Sequence, residues 1–155
     1  MKLSLALLVA ASLCYPAQMS AQSRVADEEL WHHRNLGKAF YENPTTHPDA
    51  EAEFAKASAL SQSLRDYVNY GLALLEVGHF DKAIEEFQTA ERLEAQQQPG
   101  KPKLLHIPFG LGIAYKKKSD TSGQLSDKQK AIEGFEAVIR DDPDESMANY
   151  NLGLL

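Results

Sequence analysis

The sequence has little cysteine, few aromatic residues and no excess of positive charge. Its single cysteine, Cys14, can form neither a disulfide within the chain nor a cysteine-based zinc site. The sequence has 16 Lys and Arg residues and 22 Asp and Glu residues. The resulting net charge of -6 argues against nonspecific nucleic-acid binding. Apolar residues still make up 43% of the 155 positions, which is enough for a packed core. The composition therefore indicates one globular domain without a disulfide framework.

A long hydrophobic run occurs only at the start of the chain. Lys2 precedes an apolar stretch from Leu3 to Leu13, and small residues lead up to Ala21. This layout is typical of a secretory signal peptide, so we expect residues 1–21 to direct export to the periplasm or the cell exterior, with cleavage after Ala21. An apolar helix of this length spans about 16 Å, too short for a bilayer core of roughly 30 Å. Retention of the segment as an N-terminal anchor is the alternative, and residues 22–26 would be a short linker.

Four glycines recur inside apolar helical patterns, at intervals of 34, 41 and 41 residues. They are Gly37, Gly71, Gly112 and Gly153. An isolated glycine in a helix costs about 1 kcal/mol relative to alanine. Four such costs at regular intervals indicate that a neighbouring helix approaches closely at each one. Periods of this length are typical of stacked helix pairs.

A second pattern follows each of the first three glycines: an alanine, an aromatic residue four positions later, and a small residue three positions after that. The spacing places all three side chains on one helix face. A large ring between two small residues fits the gap between packed helices. The three sets are Ala50, Phe54 and Ala57; Ala83, Phe87 and Ala90; and Ala131, Phe135 and Val138.

The two patterns together resemble the tetratricopeptide repeat (TPR) family, whose repeats combine a Leu-Gly pair, an Ala-x-x-x-Phe segment and a terminal proline. The third repeat ends on that proline, Pro143. The resemblance implies an all-α fold, a solenoid of antiparallel helix pairs, over residues 27–155. It implies repeats at about residues 28–62, 63–97 and 104–143, with the start of a fourth at 144–155. Because a solenoid normally ends in a polar cap, the final Leu154 and Leu155 lead us to expect a fragment of a longer protein.

Helix ends follow from capping residues and from insertions. Asp27 is expected to begin the first helix, and Ser63 with Asp66 forms an acidic variant of the capping box before the third. The interval from Gly112 to Ala131 is seven residues longer than the matching interval in the second repeat. We expect that excess to form a solvated loop over residues 119–127.

The first helix of each pair lines the concave side of such a stack. The resemblance implies a peptide-sized groove there, so we expect an exported scaffold whose partner is a protein or a peptide. Apolar candidates such as Leu72 and Phe109 are more typical of a core position than of a contact surface, and solvent exposure is the ordinary outcome for a lysine such as Lys116. The groove candidates are Trp31, Arg34, Lys38, Tyr41, Arg65, Asn69, Leu72, His106, Phe109 and Lys116.

Some relatives hold the terminal carboxylate of a peptide with a set of Lys, Asn and Arg side chains. Arg34 and Asn69 are compatible with that arrangement, as the resemblance implies it. Lys38 stands where an Asn is expected, and His106 and Gly110 stand where basic residues are expected. The sequence therefore does not support the carboxylate clamp.

No residue set in the sequence indicates catalysis or a bound cofactor. His32 and His33 are adjacent, so their side chains diverge by about 100° on a helix and do not converge on a metal ion. No nucleophile elbow or zinc-protease spacing is present. We expect no enzyme activity, metal, cofactor or nucleic-acid partner, and only transient membrane contact through the signal peptide. The alternative function is structural: a segment that packs against further domains of a longer exported protein.

Overall fold

The computed structural model describes residues 4–97 and 103–155, with side chains from residue 23 onward. These residues form helices and no strand. A short 3-10 turn at Pro44–Thr46 joins the first helix to the second. Within the described ranges, no helix combines the length and the apolar character that crossing a bilayer requires. The α-helices are α1 Ser4–Tyr41, α2 His47–Ser61, α3 Leu64–Glu76, α4 Phe80–Ala95, α5 His106–Ser122, α6 Leu125–Asp141 and α7 Ser146–Gly153.

The helices stack as consecutive pairs. The most extensive contacts join α1 to α2, α3 to α4 and α5 to α6. Each pair also packs on the next, through α2 against α3, α4 against α5 and α6 against α7, and α3 contacts α5 directly. We call α1, α3, α5 and α7 the first helices, and α2, α4 and α6 the second helices. The predicted all-α solenoid of helix pairs is confirmed.

Each repeated glycine of the first three pairs lies under the ring of the repeated phenylalanine. A Cβ atom added at Gly37 would lie 2.7 Å from the ring of Phe54. The corresponding distances are 2.9 Å from Gly71 to Phe87 and 2.8 Å from Gly112 to Phe135. Since real Cβ atoms keep more than 3 Å from such neighbours, only glycine allows the rings to approach this closely. Packing between helices is therefore the reason for the repeated glycines.

The starts of two helices can be compared with the predicted caps. The Ser63 cap is present, because its Oγ atom accepts a hydrogen bond from the Asp66 backbone N–H at 3.4 Å. The predicted start at Asp27 is wrong, because α1 is continuous from Ser4 to Tyr41. Residues 22–26 contain neither glycine nor proline, so nothing in that stretch breaks the helix.

The expected loop over residues 119–127 is also wrong. Helix α5 runs to Ser122 and α6 begins at Leu125, so only two residues connect them. The Thr121 hydroxyl donates to the Lys118 carbonyl oxygen at 2.8 Å in the last turn of α5. Gly123 then takes a left-handed conformation with φ 70°, and its N–H donates to the Ser119 carbonyl oxygen at 2.8 Å. The additional residues lengthen α5 and α6 to 17 residues each, compared with 13 in α3 and 16 in α4.

Candidate functional site

The first helices share a register that is fixed by their glycines. The residues six before, three before and one after each glycine are spaced by 3 and 4, so they lie on one helix face. In α7 this face is exposed, as it is for part of α1. The four sets are Trp31, Arg34 and Lys38; Arg65, Val68 and Leu72; His106, Phe109 and Ile113; and Met147, Tyr150 and Leu154.

A groove of about 330 Å³ lies between α1 and α3, with Phe54 of α2 contributing to its wall. We call it the basic groove, because three of its lining residues are cations and none carries a carboxylate. It brings together six of the ten candidates predicted from the sequence. The lining residues are Arg34, Asn35, Lys38, Tyr41, Phe54, Arg65, Asn69 and Leu72.

Arg34 is held in the basic groove by Asp66, a fully buried residue in the first turn of α3. The guanidinium donates from Nε to Asp66 Oδ1 at 2.8 Å and from Nη2 to Oδ2 at 2.5 Å. The Ser63 hydroxyl donates to Oδ2 at 2.6 Å, and Ser61 donates to the same oxygen. The pair connects the first repeat to the second, and it neutralises much of the charge of Arg34.

Two opposing effects set the protonation of Asp66. Burial alone would raise the pKa of this carboxyl. The hydrogen bonds from Arg34, Ser61 and Ser63, with the guanidinium charge, outweigh burial and hold the pKa below its usual value. The bond to Asp66 in turn raises the pKa of Arg34. Both groups are therefore charged at neutral pH.

Lys38 and Arg65 supply the uncompensated charge of the basic groove. Both side chains are exposed, and neither forms an ion pair within the part of the chain that the structure describes. Asn69 lies half-buried between α1 and α3 and adds an amide group. At the other end, Tyr41 stacks on His47 with ring centroids 5.5 Å apart, and burial followed by the nearby Glu76 raises the pKa of this phenol.

A second groove of about 300 Å³ lies between α5 and α7. We call it the apolar groove, because four of its six lining residues are apolar. Phe109 packs edge-on against Phe135 with ring centroids 5.8 Å apart. The Glu145 carboxylate accepts a hydrogen bond from the Ala148 backbone N–H at 2.5 Å, which caps α7. The lining residues are Leu105, His106, Phe109, Val138, Glu145 and Met147.

The other four predicted candidates do not line the basic groove. Trp31 is exposed on α1, one turn before Arg34, but does not line the basic groove. Lys116 pairs with Asp120 of its own helix at 3.1 Å. His106 and Phe109 line the apolar groove rather than the basic one.

Sequence reasoning missed several lining residues that the glycine register identifies. Asn35 lies two residues before Gly37, as Asn69 lies two residues before Gly71. Met147 lies six residues before its glycine, the position that Arg65 and His106 occupy in earlier repeats. Phe54 was assigned to packing alone, although it also contributes to the wall of the basic groove.

A third depression lies at the turns between helices, and its charges already pair with one another. Lys118 donates to Asp81 at 2.5 Å, and His79 lies 3.2 Å from Glu51. Lys82 lies over the Tyr70 ring, with its Nζ atom 4.9 Å from the centroid. These contacts leave less unpaired charge here than in the basic groove.

The helix stack is similar to solved TPR domains. No protein-family model matches the chain, and no curated protein does. The Arabidopsis OM64 TPR domain superposes with a TM-score of 0.66 at 17% identity, over 82% of this chain and 93% of that one. The second TPR domain of human RPAP3, in complex with the HSP70 peptide SGPTIEEVD, superposes with a TM-score of 0.66 at 15% identity, over 83% and 96%. At these identities the likeness shows the fold, and the chain has the fold of a TPR domain.

Proposed function

We propose that the chain is a helical-repeat scaffold that binds a protein or peptide segment along the first helices, and that its role is binding rather than catalysis. One observation carries the proposal: in a chain whose net charge is -6, the basic groove has two cations, Lys38 and Arg65, that form no ion pair with any residue the structure describes. Charges of one sign without partners favour a ligand of the opposite sign. The RPAP3 domain, which has the same fold, is in complex with a peptide.

The other groups of the basic groove suit a polypeptide ligand. The amides of Asn35 and Asn69 have both donors and acceptors, which match the N–H and C=O groups of an extended backbone. Leu72 and Phe54 provide apolar contact beside them. Arg34 is already bonded to Asp66, so we assign recognition of acidic side chains to Lys38 and Arg65.

Reversal of one groove charge should weaken peptide binding without unfolding the chain. Peptides selected from a phage-displayed random library on the intact chain are expected to be acidic. Lys38→Glu should raise their Kd by about tenfold or more, because an attractive contact becomes repulsive. Fluorescence anisotropy measures the affinity, and circular dichroism checks that helicity is retained.

Arg140→Glu is the matched control, since it makes the same charge change on an exposed residue of α6, away from the basic groove. Its Kd should stay within about twofold of the original value. If no peptides are enriched, or if both variants bind equally well, the basic groove is not the binding site.

We also propose that the chain acts after export, with residues 1–21 as the targeting segment. The support is the order of Lys2, the apolar run and the small residues before Ala21. Mass spectrometry of the protein from a bacterial host should then find a mature chain that begins at Gln22 outside the cytoplasm. An uncleaved chain retained in the cytoplasm would contradict export.

A structural role is the second candidate, and Gly153 favours it. Among the residues that the structure describes, no side chain and no other helix lies within 4 Å of a Cβ added at Gly153, whereas a phenylalanine ring covers each of the three earlier glycines. A further helix with an aromatic residue, from another domain of a longer exported protein, would fit on α7. Gly153→Phe should block that packing and leave peptide binding in the basic groove unchanged. Loss of peptide binding in this variant would contradict the assignment.

A further inference from the structure

We propose that the ligand of this scaffold is one peptide segment of a partner protein that is held at two points, with an acidic side chain in the basic groove and a large apolar side chain in the apolar groove. The inference rests on the proposed binding function and specifies the chemistry of the ligand. It follows from a chemical difference between two grooves on the same set of helices: one is lined by cations and the other mainly by apolar side chains.

The two grooves follow one another along the stack. The basic groove lies between α1 and α3, the apolar groove lies between α5 and α7, and α3 packs directly on α5. Arg65, His106 and Met147 each lie six residues before a repeated glycine, so both grooves are lined from the same face of the first helices. A segment that crosses the first helices therefore meets both.

The apolar end carries large hydrophobic side chains that are more than half exposed. Met147 and Tyr150 of α7 and Leu154, the residue after its end, share one face and are 53%, 62% and 56% exposed. Such a stripe at the edge of an apolar groove is an unfavourable surface in water, and a large apolar side chain would cover part of it.

The charges of the two ends fix which part of the ligand binds where. Glu145 lines the apolar groove and repels an acidic side chain there. Lys38 and Arg65 attract an acidic side chain at the other end, where the lining residues include no carboxylate. The order of the two points along α1, α3, α5 and α7 is therefore determined by the sequence.

The separation of the two grooves sets the spacing in the ligand. Packed helices lie about 8–10 Å apart, and a groove separates α1 from α3 and α5 from α7, so two steps between neighbouring first helices make at least about 20 Å. An extended chain rises about 3.3 Å per residue, which corresponds to roughly six residues between the acidic and the apolar side chain.

The experiment uses designed peptides with both ends blocked, so that no terminal carboxylate is present. One peptide has two Glu residues and a Leu that are separated by six Ser and Thr residues, and a second has a spacing of two. In further peptides Gln replaces Glu, or Ser replaces Leu. We expect the peptide with six-residue spacing to bind most tightly, and each of the other three peptides to bind about tenfold more weakly.

Variants of the chain assign each part of the ligand to its groove. Met147→Asp should weaken the binding of the peptide with six-residue spacing by about tenfold. It should leave the affinity of the peptide without Leu unchanged. Leu125→Asp is the control, because this residue is 80% exposed and lines neither groove. If Lys38→Glu weakens binding but Met147→Asp and the spacing have no effect, the two-point ligand is overturned and the binding function stands. If none of the peptides binds, the two-point ligand is overturned, and the phage selection decides the binding function separately.

Discussion

Replacing Phe87 by alanine is expected to lower the free energy of unfolding by about 3–5 kcal/mol, the range for removal of a buried ring. Phe87 has no solvent exposure, and its ring lies over two glycines, Gly71 of α3 and Gly110 of α5. It therefore connects the second repeat to the third. Because glycine has no side chain to move into the space, the cavity in the variant stays open. Urea denaturation followed by circular dichroism measures the change.

Phe80→Ala is the control for this substitution. Phe80 is the first residue of the same helix and is only half-buried, so we expect its loss to cost at least 2 kcal/mol less than the loss of Phe87. A cost below about 1 kcal/mol for Phe87→Ala would show that the ring is not in the core and that the repeat register is wrong.

Arg34→Met is expected to lower the free energy of unfolding at pH 7 by about 2–3 kcal/mol. The substitution leaves the fully buried carboxylate of Asp66 with only the hydroxyls of Ser61 and Ser63. A value below the usual 3–5 kcal/mol is expected, because the Arg34 side chain is 29% exposed and solvent screens part of the pair. Lys38→Met is the matched control, because it removes a cation from the same helix face that forms no ion pair with the described residues. It should lower the free energy of unfolding only slightly.

The effect of Arg34→Met should depend on pH in one direction. The pKa of Asp66 is lowered in the folded state, so its contribution to stability is present above the unfolded value of about 4 and is lost as the pH falls through the folded value. Below pH 4 the difference between the original chain and the variant should shrink, because a protonated Asp66 needs no cation. A difference that stays constant from pH 7 to pH 3 would contradict the pairing.

The helix stack was predictable because its signal repeats. A glycine in a helix is costly, and an aromatic residue at a fixed helical spacing after it points to one packing geometry in every pair. Gly71 and Phe87 confirm that geometry, because a Cβ atom added at Gly71 would lie only 2.9 Å from the Phe87 ring. The loop expected at residues 119–127 was wrong for a local reason. Serine and threonine fit a loop by composition, yet Thr121 bonds back to Lys118 and extends α5.

The groove was predictable only in part. The helical spacing identified the face of α1 and α3 that lines it, including Lys38 and Asn69. The partner of Arg34 was not predictable, because Asp66 lies 32 residues away and no local pattern links the two. The pair of Lys116 with Asp120 was missed because Asp120 was expected in a loop; on the longer α5 the two opposite charges lie four residues apart, a spacing that brings side chains together on a helix.

The most direct test of peptide binding along the first helices is an NMR titration of the isotope-labelled chain with the six-residue-spaced peptide. We expect the amide signals of Lys38 and Asn69 in the basic groove and of Met147 in the apolar groove to shift together and to saturate at one peptide per chain. Leu125 should not shift. Shifts confined to the second helices, or a spectrum that the peptide does not change, would contradict binding at this face.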